Sequence, residues 1–409
     1  MLLRTSKNLK YLYIDKIICN QIIFEHLYEN TTITSLDLYL TYNLSDTFKS
    51  NAIDGLIKIL YKNSALTSLN LISIQLGTKR VETLLEALYK NTVLNSLSLY
   101  DNKIGVKEGK MFAKFLCKNT TLTSLNLCGS DGDWLLYSDI GSEGGKALAD
   151  ALFKNNTLKN LNLQYNNFGP EVGMALADAL CKNTTLTSLK LGYNNLGIEG
   201  EKVLADALCK NTTLISLDLS ENKLGPNGGK ALADALCKNT SLKNLNLQCN
   251  RLGPNGGIAL ANALLKNTTL TSLNLGGSNR SRSLNNIGSK GGKAFAIALY
   301  KNATLTSLDI SYNNLGSEVG IGLAKALCKN TTLTSLDLSE NKLGSEGGKA
   351  LANALCKNIS LKDLNLQYNE IGSEGGKALA YSLFKNTTLA SLNLKSNGIG
   401  SEGGKALAY

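Results

Sequence analysis

Histidine and tryptophan each occur once in these 409 residues, and proline only three times. A single histidine leaves little from which to build a nucleophile–base pair. No Cys/His metal spacing and no G-x-S-x-G stretch is present. Long apolar runs are missing too, and no window approaches the ~20 apolar residues of a membrane-spanning helix. The opening stretch, Met1 to Tyr13, scatters Arg4, Lys7 and Lys10 and has no apolar run, unlike a secretory leader. These absences lead us to expect a non-catalytic chain with no cofactor, no metal and no small-molecule substrate, placed in the cytoplasm. The stretch Gly141 to Lys146 tempts a phosphate-loop reading. It is one residue short of that motif, and Ala147 stands where Ser or Thr belongs.

What the chain has in abundance is repetition. Leu158 to Thr185 is a 28-residue unit, and its first leucine aligns with Ile33, Leu66, Leu94, Leu122, Leu186, Leu214, Leu242, Leu270, Leu305, Leu333, Leu361 and Leu389. Nine of the twelve steps are 28 residues; the others are 33 from Ile33, 36 from Leu122 and 35 from Leu270. A fixed period of this size marks stacked units whose core grows by addition. Within each unit Leu158-x-x-Leu161-x-Leu163 alternates as a strand with one buried face does. Asn166 follows and recurs as Asn102, Asn194, Asn222, Asn250, Asn313, Asn341, Asn369 and Asn397. Asparagine there suits a ladder of side chains bonding the buried backbone of adjacent turns.

The second half of the unit reads as a helix. Ser142 is a candidate N-cap, with Glu143 favoured in the first turn by the helix dipole. All three prolines (Pro170, Pro226, Pro254) take the Ser142 position, where no N–H is needed. Leu148, Ala151 and Leu152 form an apolar stripe. Lys154 and Asn155 close the helix, with Asn155 expected in the left-handed cap conformation. LxxLxLxxNxxG followed by a helix in a 28-residue unit resembles leucine-rich repeats of the ribonuclease-inhibitor type. The resemblance extends to NOD-like receptor C-terminal arrays and Ran GTPase-activating proteins, and covers roughly Ile33 to Tyr409. It implies an α/β, right-handed leucine-rich-repeat solenoid, a horseshoe with a parallel sheet on the concave face and helices on the convex face. We expect residues 1–32 to be a degenerate N-terminal capping unit, with His26 on its helix, and 33–409 an array of about thirteen units. The last unit stops incomplete at Tyr409, so we expect a fragment, a truncated array or an end that pairs with something.

Six of the nine cysteines share one repeat position: Cys117, Cys181, Cys209, Cys237, Cys328 and Cys356. Other repeats put Phe153, Leu265, Tyr300 or Phe384 there, so we expect an apolar packing site holding buried free thiols. Neighbouring helices ~8–10 Å apart would not admit disulfides. The net charge is +11, and 20 of the 43 basic residues are lysines near helix starts or ends, on the expected outer layer. The strand face has the opposite sign, with Asp37, Asp101, Asp218, Glu221, Asp309, Asp337, Glu340 and Asp363 against Lys190 and Lys395. An acidic concave face repels phosphate, so neither nucleic acid nor membrane is the expected partner.

The two long steps are insertions after the strand, residues 128–139 and 276–286. They fall at the C-terminal edge of the sheet, where loops of α/β folds carry ligands. The first holds Trp134 and Tyr137, either an interface anchor or a segment folded over its own repeat. The second holds Arg280 and Arg282, either solvated or contacting an anion or acidic partner. The eighth position of the unit repeats Tyr165, Tyr193, Tyr312 and Tyr368, alternating with Glu221 and Glu340 and broken by Cys249. Tyrosine is frequent at recognition surfaces, although copied units also copy their residues. The expected function is a protein-interaction scaffold gripping a protein partner with these residues. Two alternatives stand: a GTPase-activating regulator of the Ran type, and the sensor part of a longer NOD-like receptor. Against the first, the chain ends in Lys-Ala-Leu-Ala-Tyr rather than an acidic tail.

Overall fold

The computed structural model describes residues 8–15, 27–28, 30–39, 46–130, 139–279, 281 and 283–408. They fall into two compact units, 1–194 and 195–409. In the first, strands β1 (Tyr11–Ile14), β2 (Ser35–Tyr39), β3 (Ser68–Ile72), β4 (Ser96–Ser98), β5 (Ser124–Asn126), β6 (Asn160–Asn162) and β7 (Ser188–Lys190) lie in chain order. Each is parallel to the next, with equivalent repeat positions opposite one another. The described helices between them are α1 (Asp46–Lys62), α2 (Gly77–Lys90), α3 (Val106–Leu116) and α4 (Gly141–Lys154), with α5 (Pro170–Leu180) before β7.

The second unit repeats the plan. Its strands are β8 (Ser216–Asp218), β9 (Asn244–Asn246), β10 (Ser272–Asn274), β11 (Ser307–Asp309), β12 (Ser335–Asp337), β13 (Asp363–Asn365) and β14 (Ser391–Asn393), again parallel and in order. Its helices are α6 (Gly197–Leu208), α7 (Gly225–Leu236), α8 (Gly253–Leu264), α9 (Gly288–Lys301), α10 (Ser317–Leu327), α11 (Gly344–Leu355), α12 (Gly372–Lys385) and α13 (Gly400–Ala408). This is the α/β leucine-rich-repeat solenoid that the period implied. Within a repeat, Leu158, Leu161, Leu163 and Phe168 meet Leu176, Ala177 and Leu180 of the helix, and all are buried. Each large apolar side chain so buried contributes about 1.5–3 kcal/mol.

The strands are short because the chain turns hard after them. Position eight is left-handed in Tyr165 (φ 57) and Tyr193 (φ 60), and position ten in Asn167 (φ 50) and Asn195 (φ 54). The glycine at position twelve is left-handed as well, at φ 73 in Gly169. The Asn between these turns is what holds them. Asn194 is fully buried. Its amide donates to Leu163 O (2.8 Å) and Leu191 O (3.0 Å), while its carbonyl accepts from Asn166 N (3.0 Å). The expected ladder is therefore present.

A second ladder runs along the helix ends, and it corrects the capping expectation. Asn155 is extended (φ −79, ψ 128), not left-handed. Its carbonyl accepts from Thr157 N (3.1 Å) and Leu158 N (2.8 Å), and its amide donates to Leu116 O of the previous repeat (2.8 Å). Extended backbone wins because this Asn serves the strand that follows, not the helix that precedes it. Ser142 likewise does not cap its own helix; its hydroxyl donates to Glu171 Oε2 at 2.9 Å.

Adjacent helices touch through small residues. A Cβ on Gly145 would lie 2.8 Å from Val172 Cγ1 and 2.9 Å from Phe168 Cδ1. Gly145→Ala is expected to destabilise the chain by about 1–3 kcal/mol through overpacking, read as a lower thermal midpoint. Salt bridges join neighbouring helix starts, as in Lys110–Glu143 (3.3 Å), Lys146–Glu171 (2.5 Å) and Lys293–Glu318 (2.5 Å). All are exposed, so solvent screens them and they add little to stability.

The shared cysteine position is not a packing site. Cys117, Cys181, Cys237 and Cys328 are exposed, and Cys209 and Cys356 half-buried. Phe153 at the same position is 47% exposed. The preceding residue, such as Leu180, faces the sheet, and the next one turns away from it. A column accepting Cys, Phe, Leu and Tyr is here tolerant because it is open.

Candidate partner-binding site

The face presented by the strands is built from positions three, five, seven and eight, because the leucines at four and six point into the core. Position five has a local task. Asp218 Oδ1 accepts from Ser220 N (2.9 Å) and Ser220 Oγ (2.7 Å). Asp309 and Asp337 do the same for Ser311 N and Ser339 N, each at 2.9 Å. Asn162 and Asn246 take that role for the residues two ahead of them. Much of the acidity expected on this face is thus Asp doing what Asn does elsewhere, closing an Asx turn with one oxygen. The Asp/Asn alternation at position five was the available signal. Asp101 is also drawn in: it is 8% exposed, and its carboxylate accepts from Ser73 Oγ at 2.5 Å.

In the first unit the structure brings Tyr165 and Tyr193 together. Their rings stack with centroids 4.1 Å apart and planes 13° from parallel, and Tyr193 is 39% exposed. The left-handed backbone at position eight raises both side chains off the strand. Trp134 and Tyr137 lie outside the described residues. The ends of their insertion are tied down: Gly129 N donates to Gln164 O (3.0 Å) and Asn167 Nδ2 to Asp139 Oδ2 (3.4 Å).

In the second unit Tyr312, Glu340 and Tyr368 share the column. The pKa of the Tyr312 phenol is raised, first by burial and then by the Glu340 charge beside it. Tyr368 is 42% exposed. Beneath them Asp309 and Asp337 are cross-strand neighbours. Enclosure pushes the Asp309 carboxyl up, the Ser311 N–H opposes this, and the Asp337 charge adds to it. Asn365 Nδ2 donates to Asp337 Oδ2 at 2.8 Å. The result is a half-buried acidic floor with two tyrosines above it.

Glu221 is separated from that group by the second insertion. Arg280 and Arg282 lie outside the described residues, but the described part of the segment folds onto the repeat before it. Cys249 N donates to Gly276 O (3.1 Å), Gln248 Nε2 to Gly277 O (3.1 Å) and Arg251 Nε to Ser283 Oγ (3.2 Å). Asn285 takes over the ladder position, donating to Leu247 O (2.8 Å) and accepting from Asn250 N (2.8 Å). The covered Cys249 is 1% exposed, and burial pushes its thiol up to about 11. Reading Cys249 as a break in the column missed that it is the seat of the insertion. A signal was present in the glycines: both insertions leave the array at position eight, from Gly129 and Gly277. A Cβ on Gly277 would lie 2.4 Å from Tyr312 Cβ.

Eight stretches match the family described as Leucine Rich repeat: 154–177, 182–205, 210–233, 238–261, 301–324, 329–352, 357–380 and 385–408. No curated protein matches the chain. Among solved structures, Leiomodin-1 Actin-Binding Site 2 is similar at 25% identity and TM-score 0.29, over 34% of this chain and 78% of that one. The Rad7 and Elc1 complex in yeast is similar at 16% identity and TM-score 0.46, over 85% of this chain and 74% of that one. No described helix is long and apolar enough to cross a membrane.

Proposed function

We propose, from the premise that the chain is a leucine-rich repeat protein, that it is a non-catalytic scaffold holding a protein partner on its strand face. The observation that carries this reading is the pair of stacked, partly exposed rings of Tyr165 and Tyr193. Rigid amphipathic side chains of this kind give contact area at low entropic cost. Tyr312, Glu340 and Tyr368 offer a second foothold, and their acid-bearing surroundings favour a partner segment carrying Lys or Arg. Full helices in a 28-residue unit support the ribonuclease-inhibitor subtype. We take residues 1–32 as the capping unit and 33–409 as the array. Exposed free thiols at Cys117, Cys181, Cys237 and Cys328 fit a reducing compartment such as the cytoplasm.

Affinity capture from a lysate of the source cells tests the proposal. The intact chain is compared with a Tyr165→Ser/Tyr193→Ser variant and with Tyr312→Ser/Glu340→Gln, each checked by circular dichroism. A protein retained by the intact chain is expected to be lost from at least one variant, with affinity falling about tenfold or more. Equal retention by all three would remove the strand face as the site. Hydrolysis of GTP by small GTPases, accelerated by the chain, would favour the Ran-type alternative.

A further inference from the structure

The helix ends of the second unit change character along its length. In α6 and α7 an aspartate stands four residues before the helix-end lysine, as Asp206 before Lys210 and Asp234 before Lys238. From α8 onward that acid is gone, replaced by Asn262, Ile297, Lys325, Asn353 and Tyr381. The row then carries Lys266, Lys301, Lys325, Lys329, Lys357 and Lys385, all exposed, with no acidic residue among them. The lysines at the helix starts differ, since Lys293, Lys349 and Lys377 pair with Glu318, Glu346 and Glu374.

Large apolar side chains stand among these ammonium groups. Leu265 is 41% exposed, Ile297 57%, Tyr300 52%, Ile359 74% and Tyr381 59%. Lys385 Nζ sits 5.2 Å from the Tyr381 ring centroid. We propose that the helix-end face of α8 to α12 is a docking surface for an anionic lipid bilayer. Lysine stems lie along apolar surface while their charged heads reach phosphate and carboxylate headgroups. Tyrosine rings settle at the headgroup level, and isoleucine and leucine enter the acyl boundary. A nucleic acid would reward the amines and the rings but would gain little from exposed aliphatic groups. A bilayer also asks for no shaped groove, which suits a row of separate protrusions. The charge of the whole chain concealed this face, because it averages helix ends that carry aspartate with helix ends that do not.

Vesicle sedimentation of the full chain tests the proposal, using phosphatidylcholine vesicles with and without about one third phosphatidylserine. Binding is expected to the anionic vesicles alone. Lys329→Glu/Lys357→Glu should weaken it by about 25-fold or more, at roughly fivefold for each lysine charge lost. Ile297→Ser/Tyr300→Ser should weaken it by about tenfold through lost apolar burial. Lys210→Glu/Lys238→Glu, beside the aspartates, should change it by less than about twofold, the surroundings there already being balanced in charge. All six positions are exposed or at helix ends, and circular dichroism confirms that each variant folds. No binding to anionic vesicles overturns the proposal. So does an equal loss in the Lys210/Lys238 variant, which would indicate a diffuse charge effect. Tight binding of a short RNA with the same lysine dependence, but none on Ile297 and Tyr300, would make the face a nucleic-acid surface instead.

Discussion

Asn341→Ala is expected to cost about 3 kcal/mol or more, and to melt its own neighbourhood first. Asn341 is fully buried, and its side chain joins the backbone of two neighbouring repeats. Its amide donates to Ile310 O (2.9 Å), Leu338 O (3.0 Å) and Ser339 O (3.1 Å), and its carbonyl accepts from Asn313 N (3.0 Å) and Leu315 N (3.4 Å). Alanine leaves Ile310 O, Asn313 N and Leu315 N without this partner, while Leu338 O keeps Asn369 Nδ2 (2.8 Å) and Ser339 O keeps Tyr312 N (3.0 Å). Each buried group so orphaned costs about 1–3 kcal/mol. A water entering the space would recover part of this, so the net loss falls below the sum. Repeat arrays are stabilised by each unit and its nearest neighbours, so the damage should be local. Hydrogen exchange should show protection lost across β11 and β12 while β8 and β9 keep theirs. Uniform protection with an unchanged denaturation midpoint would show that the ladder is not what holds the turns.

Glu201→Gly is expected to act in the opposite direction and stabilise the chain by roughly 1–2 kcal/mol at neutral pH. Glu201 lies at the helix position that holds glycine in other repeats, such as Gly145, Gly173, Gly229 and Gly257. Its side chain is fully buried, and neither carboxylate oxygen has a hydrogen-bond partner among the described residues. It occupies the space against Gly228, where a Cβ would clash with Glu201 Oε2. Burial raises the carboxyl pKa well above its ordinary value. The folded chain therefore holds a proton that the unfolded chain releases, so stability is highest below the ordinary carboxyl pKa. It falls as pH rises from there to the raised value, and is flat beyond it. Chemical denaturation across that window should show this decline in the intact chain and not in Glu201→Gly. Glu201→Gln should also lose the decline but keep much of the cost of a buried unpaired polar group. A steady pH profile in the intact chain would mean that Glu201 has found a partner in solution.

The architecture could be read in the sequence because a repeat states the same local instruction many times. Leu161, Leu189 and Leu217 fall at one spacing, so one alternating pattern places the strands, and an Asn such as Asn194 or Asn222 marks most of the turns. The candidate site was less legible. Tyr165 and Tyr193 were visible as a column, but the left-handed backbone that lifts them, and the 4.1 Å ring stacking, were not. Asp218, Asp309 and Asp337 looked like surface charge, and only the turn geometry gave them Ser220, Ser311 and Ser339 as local partners. Cys181 looked buried because its position accepts Phe and Leu elsewhere. Tolerance of many residues is equally the mark of an open surface, and a sequence does not separate the two.

Periodicity, then, determined the strand–turn–helix unit, its buried leucines and its asparagine ladder, because the unit is set by residues close in the chain and the same position recurs opposite itself in most neighbouring repeats. Contacts between repeats decided the rest. The folding of the described part of the second insertion onto Cys249, and the enclosure of Glu201 against Gly228, depend on which side chains meet across neighbouring units. A repeating pattern carries no record of those meetings, since they arise at the positions where one copy differs from the next.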